Sequence, residues 1–248
     1  MPIPASSAAD SLKVRVFRSD GAQSGRFVDY EVPRQPSQTI LDVVTYIQRE
    51  IDPTLAYRFA CRVGMCGSCA MTVNGKARWT CRTHVQTVAG EGQVEIAPLA
   101  NLPVIRDLVT DMREFFDKWA RARGQFVPTA TRRDEFAKVS PESPQRRAID
   151  ATIECIGCAV CYASCDVVTW NPHYLGPAAL NRAWTLVNDV RDGDRTGRLG
   201  AVSGDAGCHA CHTQQTCTLR CPKHLTPTDS IAGLKRASLL AALRGEIA

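Results

Sequence analysis

The sequence predicts an α+β chain in two parts, a small mixed-β region followed by a helical one. Three observations predict it: alternating apolar residues with turn signals fill the first hundred residues, helical periodicity dominates the rest, and twelve cysteines fall into three groups. A length of 248 residues accommodates two domains of ordinary size, and 44% hydrophobic residues permit a packed core.

In chain order, "KVRVFR" (13–18) and "RFVDYEV" (26–32) alternate on either side of a turn containing Asp20-Gly21, a hairpin signal. "TILDVVTYIQRE" (39–50) carries apolar residues at 40, 41, 43, 44 and 47 with Thr39 placed to cap them, the pattern of a helix. "AMTVNGKARW" (70–79) holds an Asn-Gly turn, and "GQVEIAP" (92–98) closes with a short strand. Strand, strand, helix, strands is the order of a β-grasp sheet. "LPVIRDLVTDMREFFDKWARA" (102–122) reads as one continuous helix, with Pro103 in its first turn and Ile105, Leu108, Val109, Met112, Phe115, Phe116 and Trp119 on one stripe, read as buried against its own domain in preference to a partner surface. Residues 123–147, rich in Arg, Pro, Ser and Thr, read as a linker or wrapping arm, and helices are expected at 146–154, 177–191 and 228–244. The expected organisation is a disordered or extended stretch 1–11, a first domain 12–122, a linker arm 123–145 and a helical domain 146–248.

Composition excludes several functions. The net charge of +5 is mild and contains no lysine/arginine run of the kind that tracks nucleic acid. No apolar stretch approaches the roughly 18 residues of a membrane span. The start, MPIPASSAADS, has neither the basic nor the apolar segment of a secretory signal, so a cytoplasmic protein is expected. Twelve cysteines in such a chain point to metal or redox chemistry rather than disulfides.

The first group is Cys61-x4-Cys66-x2-Cys69 with Cys81 downstream, the plant-type spacing of a [2Fe–2S] centre. Gly64 and Gly67 let the loop wrap tightly and aim backbone N–H groups at the sulfurs. Zinc also accepts four thiolates, but it usually takes paired Cys-x2-Cys knuckles, which this loop lacks.

The second group, Cys155-x2-Cys158-x2-Cys161-x3-Cys165, is the bacterial ferredoxin run with Asp166 in place of the usual proline. The fourth cysteine of such a run ligates the other cluster in two-cluster ferredoxins. The third group ends Cys217-x3-Cys221-Pro222, the same tail. The crossing rule then gives a [4Fe–4S] centre on Cys155, Cys158, Cys161 and Cys221, and leaves Cys165, Cys211 and Cys217 for another. Gln214 occupies the position of the missing thiolate, and a neutral amide is a poor iron ligand beside thiolates. The corner iron is then absent, which gives [3Fe–4S], a site expected to be easier to reduce than its cubane neighbour. The rival reading takes Cys208 as a fourth ligand and makes a second [4Fe–4S]; otherwise Cys208 is a free thiol nearby.

These motifs resemble the iron–sulfur subunit of succinate dehydrogenase and fumarate reductase. The matching segments are "FACRVGMCGSCAMTVNG", "PLANLPVIRDLVTDM", "ECIGCAVCYASC", "WNPHYLGPAAL" and "CTLRCPKHLTP", in order over about 12–245. The resemblance implies an N-terminal plant-type [2Fe–2S] ferredoxin domain of β-grasp fold and a C-terminal all-α domain of the bacterial-ferredoxin type. It implies an electron-transfer subunit that passes electrons between a flavoprotein with covalently bound FAD, which interconverts succinate and fumarate, and a membrane quinone. Membrane anchor subunits are the other implied partners, and the expected location is peripheral, on the cytoplasmic face of the inner (cell) membrane. Substrate chemistry belongs to the flavoprotein, so this chain holds no catalytic residue of its own. Trp170 and His212 match the family's quinone-contact positions; packing for Trp170 and a hydrogen bond to a cluster sulfur for His212 are the plainer roles. Asp166, Val167, Gln214, Cys208 and His209 depart from the family pattern in that same area. These departures keep open a related flavoprotein partner with another substrate or acceptor; a zinc-stabilised scaffold with no redox role is a third reading.

Overall fold

The structure, a computed structural model, describes residues 11–21, 24–90 and 92–247. The stretch 1–11, expected to be disordered or extended, therefore lies outside the described residues apart from Ser11. The chain divides into two compact units: residues up to Met112 together with Ile156–Ala163, and Arg113–Cys155 together with everything from Ser164 on.

The first unit is built on a five-stranded sheet of β1 (Ser11–Arg18), β2 (Arg26–Pro33), β3 (Ala70–Val73), β4 (Lys76–Trp79) and β5 (Gln93–Ala97). The order is β2-β1-β5-β3-β4, with β1 and β5 parallel and the other pairs antiparallel. Alternation decides the register: Leu12, Val14 and Val16 point inward and are fully buried, and Val14 and Val16 lie opposite Val94 and Ile96. Helix α1 (Ile40–Tyr46) closes this core with Ile40, Val43 and Val44, and Ile47 follows in a wider final turn where the Asp52 N–H reaches the Ile47 carbonyl at 2.7 Å. Each fully buried aliphatic of this kind contributes about 1.5–3 kcal/mol. Thr39 caps α1 as expected: its hydroxyl accepts from the Asp42 N–H at 3.2 Å, and the Asp42 carboxylate accepts from the Thr39 N–H at 2.9 Å. Asn74 and Gly75 both take positive φ (48° and 70°), the turn that joins β3 to β4 without splaying them. The first hairpin forms too, although part of its turn, residues 22–23, is outside the described residues.

The expected helix over 102–122 is corrected. Residues 102–112 form a small hairpin of β6 (Val104–Arg106) and β7 (Val109–Thr110), and helix α2 occupies only Arg113–Arg121, in the second unit. Asp107 is the reason. Its side chain is buried, accepting from the Ser19 N–H at 2.9 Å, the Ala56 N–H at 2.8 Å and Arg18 Nε at 3.0 Å. Its φ of 46° is incompatible with a helix. Tertiary hydrogen bonds thus override an apolar periodicity, leaving Ile105 exposed and Leu108 in the sheet core.

Short α4 (Val160–Ala163) belongs to the first unit, and the second is helical: α2, α3 (Pro144–Ile149), α5 (Asp166–Trp170), α6 (Pro177–Val187), α7 (Arg195–Val202), α8 (Thr216–Arg220) and α9 (Pro227–Leu243). Helices α6 and α9 form its centre, where Gly233 lets the Trp184 ring lie flush: an added Cβ would sit 2.5 Å from it. The helix expected at 177–191 stops at Val187, and α7 was not expected at all. The turn between them is pinned by the arm, with Gly193 N–H to the Val127 carbonyl at 2.8 Å and Thr129 N–H to the Arg191 carbonyl at 3.0 Å. Arg198 of α7, fully buried, locks the same region by pairing with Asp192 at 2.9 Å and donating to the Gln125 carbonyl at 2.8 Å.

Candidate metal centres

The Asn74-Gly75 hairpin carries two thiols of the first group. Cys69 immediately precedes β3, and Cys81 sits in the single tight turn after β4, so the pairing of Ala70 with Trp79 draws them together. Their side chains hydrogen-bond each other, and Cys81 also feels the charge of Cys61. Cys66 in turn reaches Cys61 through its N–H, 3.3 Å from the Cys61 sulfur. The loop between them aims its backbone inward: the N–H groups of Val63, Met65 and Cys66 lie 3.5, 3.2 and 3.3 Å from the Cys61 sulfur. Those donors, Val63 and Met65 foremost, lower the Cys61 thiol to about 6, whereas burial, with the Cys69 thiol beside it, raises Cys81 to about 11. The wrap depends on left-handed backbone at Arg62, Gly64 and Gly67. At Gly64 an added Cβ would meet the Trp79 ring at 3.0 Å, and at Gly67 it would lie 2.5 Å from the Cys158 Cβ. Convergent N–H donors around grouped thiols suit a thiolate-held cluster, whose sulfurs need hydrogen bonds.

The runs 155–165 and 211–221 repeat one backbone. Gly157 and Ala159 take φ of 63° and 60°; Thr213 and Gln215, at the matching positions, take 58° and 63°. A short helix follows in each, α4 and then α8, and Cys165 and Cys221 leave it with ψ of 114° and 117°. By this correspondence Gln214 stands where Cys158 stands. Cys158 and Cys161 lie in the first compact unit, and Cys155 and Cys221 in the second.

Cys165, Cys211 and Cys217 all lie in the second unit and share one environment: Cys165 feels the charges of the other two. Burial raises the Cys165 and Cys217 thiols above the ordinary range. Donors reach each sulfur: Val167 and Val168 N–H groups to Cys165, the Thr213 N–H to Cys211 at 3.4 Å, and the Thr228 hydroxyl, 3.5 Å from Cys217. The Lys235 ammonium donates to the Cys211 carbonyl at 2.8 Å. Cys208 is fully buried and turns to α9, with its sulfur 3.8 Å from the Ser238 hydroxyl. Two residues outside the sequence-based set belong to this environment, Thr228 and Tyr174. Tyr174 is buried in the surroundings of the three thiols; burial first, then their charges, raise its phenol well above the usual range. Sequence separation hid both, although each lies in a segment that carries the resemblance, "WNPHYLGPAAL" or just after "CPKHLTP".

Trp170, at the end of α5, is 65% exposed, so the packing role is not the one it plays. His212 is likewise exposed, next to Cys211. Of the remaining histidines, His84 Nδ1 lies 3.2 Å from the Ser37 carbonyl and His209 Nε2 3.4 Å from the Ser238 hydroxyl.

Residues 13–117 match a family described as a 2Fe-2S iron-sulfur cluster binding domain, and residues 154–226 one described as a 4Fe-4S dicluster domain. The chain is similar to succinate dehydrogenase (ubiquinone) iron-sulfur subunit 1, mitochondrial, of Oryza sativa subsp. japonica, with 38% identity over 81% of this chain and 71% of the relative. It is 30% identical to the fumarate reductase iron-sulfur subunit of Haemophilus influenzae over 92% of each chain. Among solved structures it is similar to a chain of the Mycobacterium smegmatis Sdh1 complex in the apo form, with a TM-score of 0.81 and 29% identity over 92% of this chain and 95% of that one.

Proposed function

The chain belongs to the family of iron–sulfur subunits of succinate dehydrogenase and fumarate reductase, and on that premise we propose how its residues divide the work. It is an electron-transfer subunit. Cys61, Cys66, Cys69 and Cys81 hold a [2Fe–2S] cluster; Cys155, Cys158, Cys161 and Cys221 a [4Fe–4S]; Cys165, Cys211 and Cys217 a [3Fe–4S]. When bound, the clusters supply one-electron steps between the FAD of a flavoprotein partner and a quinone at a membrane anchor. The protein's part is to place thiolates, donate hydrogen bonds to them and hold the order of the centres.

One observation carries the three-iron assignment: the backbone of 211–221 repeats that of 155–165 while Gln214 replaces the thiol of Cys158. Cys208 faces Ser238 and serves as a packing thiol. Exposed Trp170, which follows Cys165 at the end of α5, and exposed His212, next to Cys211, are the quinone contacts. No helix among the described residues is long and apolar enough to cross a membrane. The subunit is held peripherally by its partners, on the cytoplasmic face of the cell membrane.

Electron paramagnetic resonance of the air-oxidised and dithionite-reduced protein tests the reading. A three-iron signal in the oxidised sample and two further centres on reduction are expected. Zinc, or iron for a single centre, would remove it. The related flavoprotein reading draws on Asp166, which opens α5 directly after Cys165 where the family has proline. Succinate-dependent dye reduction by the native complex separates the two, since its absence favours another substrate.

A further inference from the structure

The third cysteine set differs from the first in who donates to its sulfurs. Thr228, at the start of α9, brings its hydroxyl to 3.5 Å from the Cys217 sulfur. That hydroxyl lies 2.8 Å from the Thr218 hydroxyl, and the Thr228 N–H donates to the Thr218 oxygen at 3.3 Å. The contacts form a relay of hydroxyls that can end on a Cys217 thiolate. With the Thr228 N–H given to the Thr218 oxygen and the Thr218 O–H to the Thr228 oxygen, the Thr228 O–H points at the sulfur. Thiolates accept and cannot donate, so the chain of donors ends there.

Tyr174 supplies the second hydroxyl, buried where the charges of Cys211, Cys165 and Cys217 act on it. Its loop is fixed at both ends: the Tyr174 N–H donates to the Asn171 carbonyl at 3.1 Å, and the Leu175 N–H to the Ala206 carbonyl at 2.8 Å. The carbonyl of neighbouring His173 accepts from Arg121 at 3.3 Å. The ring is buried, with 1% of its surface exposed, so the phenol has no solvent competing for its proton.

We propose that the Thr228 and Tyr174 hydroxyls hold up the reduction potential of the third cluster through hydrogen bonds to the Cys217 and Cys211 sulfurs. The inference rests on the cluster assignment above. Reduction adds one negative charge to the cluster, spread partly over its ligand sulfurs, and an O–H dipole aimed at a sulfur stabilises that charge more than it stabilises the oxidised state. Both residues act through the ligands and are positioning residues. The effect suits a centre that receives electrons after the cubane, because a raised potential draws charge toward it.

The test is a potentiometric titration of the third-centre signal in the cluster-containing full chain, isolated with its partners. Thr228→Val and Tyr174→Phe keep shape and remove only a hydroxyl. Each is expected to shift the third-centre midpoint downward, and the double variant further, with spin count and first-centre midpoint unchanged. Thr228→Ser, which keeps the hydroxyl, should titrate with the parent. An unmoved midpoint in Tyr174→Phe and in the double variant overturns the inference while a parent three-iron signal leaves the assignment standing. Where the valine variant fails to assemble, Tyr174→Phe alone decides. A parent chain without the three-iron signal removes the premise and overturns both.

Discussion

The loop around Cys61 and the surroundings of Cys211 and Cys217 solve the same electrostatic problem with different parts. In the first, three backbone N–H groups converge on one half-buried sulfur, and the side chains that own them, Val63 and Met65 among them, point outward. In the second, Cys217 lies deeper and a side-chain hydroxyl, that of Thr228, joins the backbone donors. A backbone donor survives every substitution except proline, so the first loop is protected through its conformation alone. A hydroxyl is lost with one atom. The first centre is therefore fixed by glycine geometry, and the third is open to adjustment residue by residue.

The largest expected effect follows from breaking that geometry. Gly64→Val forces a branched side chain into φ of 73° and against Trp79, and should abolish the first-centre absorbance and its reduced resonance signal while the other centres persist. Retained first-centre signal at wild-type intensity would show that the loop tolerates another conformation. Next is Gln214→Cys, which restores the thiol that the repeated backbone presents at Cys158. The oxidised three-iron signal should disappear and an additional reduced cubane signal take its place; an unchanged oxidised signal would mean that Gln214 does not face the open corner.

Cys208→Ala is smaller in scale. With its sulfur toward Ser238, it should keep the third-centre signal intact and cost about 1 kcal/mol in denaturant unfolding of the second unit. Loss of the three-iron signal would place Cys208 among the ligands. The smallest effect sharpens the contrast most. Met65→Ala removes an exposed side chain but keeps its N–H, 3.2 Å from the Cys61 sulfur, and the first-centre midpoint should not move. A shift there would show that side chains tune both centres alike.

Much of the first unit was legible because its signals are local. Thr39 with Asp42 reads as a cap, Asn74-Gly75 as a hairpin turn, and Leu12, Val14 and Val16 as the buried face of β1. The illegible parts were those decided at a distance. A helical stripe over 102–112 yields to the contacts of Asp107 with Ser19, Arg18 and Ala56. Helix α7 contains Gly197 and Gly200, which weaken its local signal, and it is held by Arg198 reaching Asp192 and Gln125. At the centres, cysteine spacing carries chemistry openly, since a thiolate advertises its own role. Tyr174 and Thr228 do not: a tyrosine before a leucine and a threonine after a proline become informative only when folding brings them to the sulfurs.

Gly67 has no room for a side chain because Cys158 fills the space, and residues 156–163 pack as part of the unit that contains the β sheet. Cutting the chain in its linker would thus not release two self-sufficient modules. A piece ending at Met112 would leave Gly67 facing water where Cys158 should be, and the remaining piece would keep an eight-residue segment with nothing to rest on. Anyone transplanting the N-terminal half onto another electron carrier would have to bring that short segment with it.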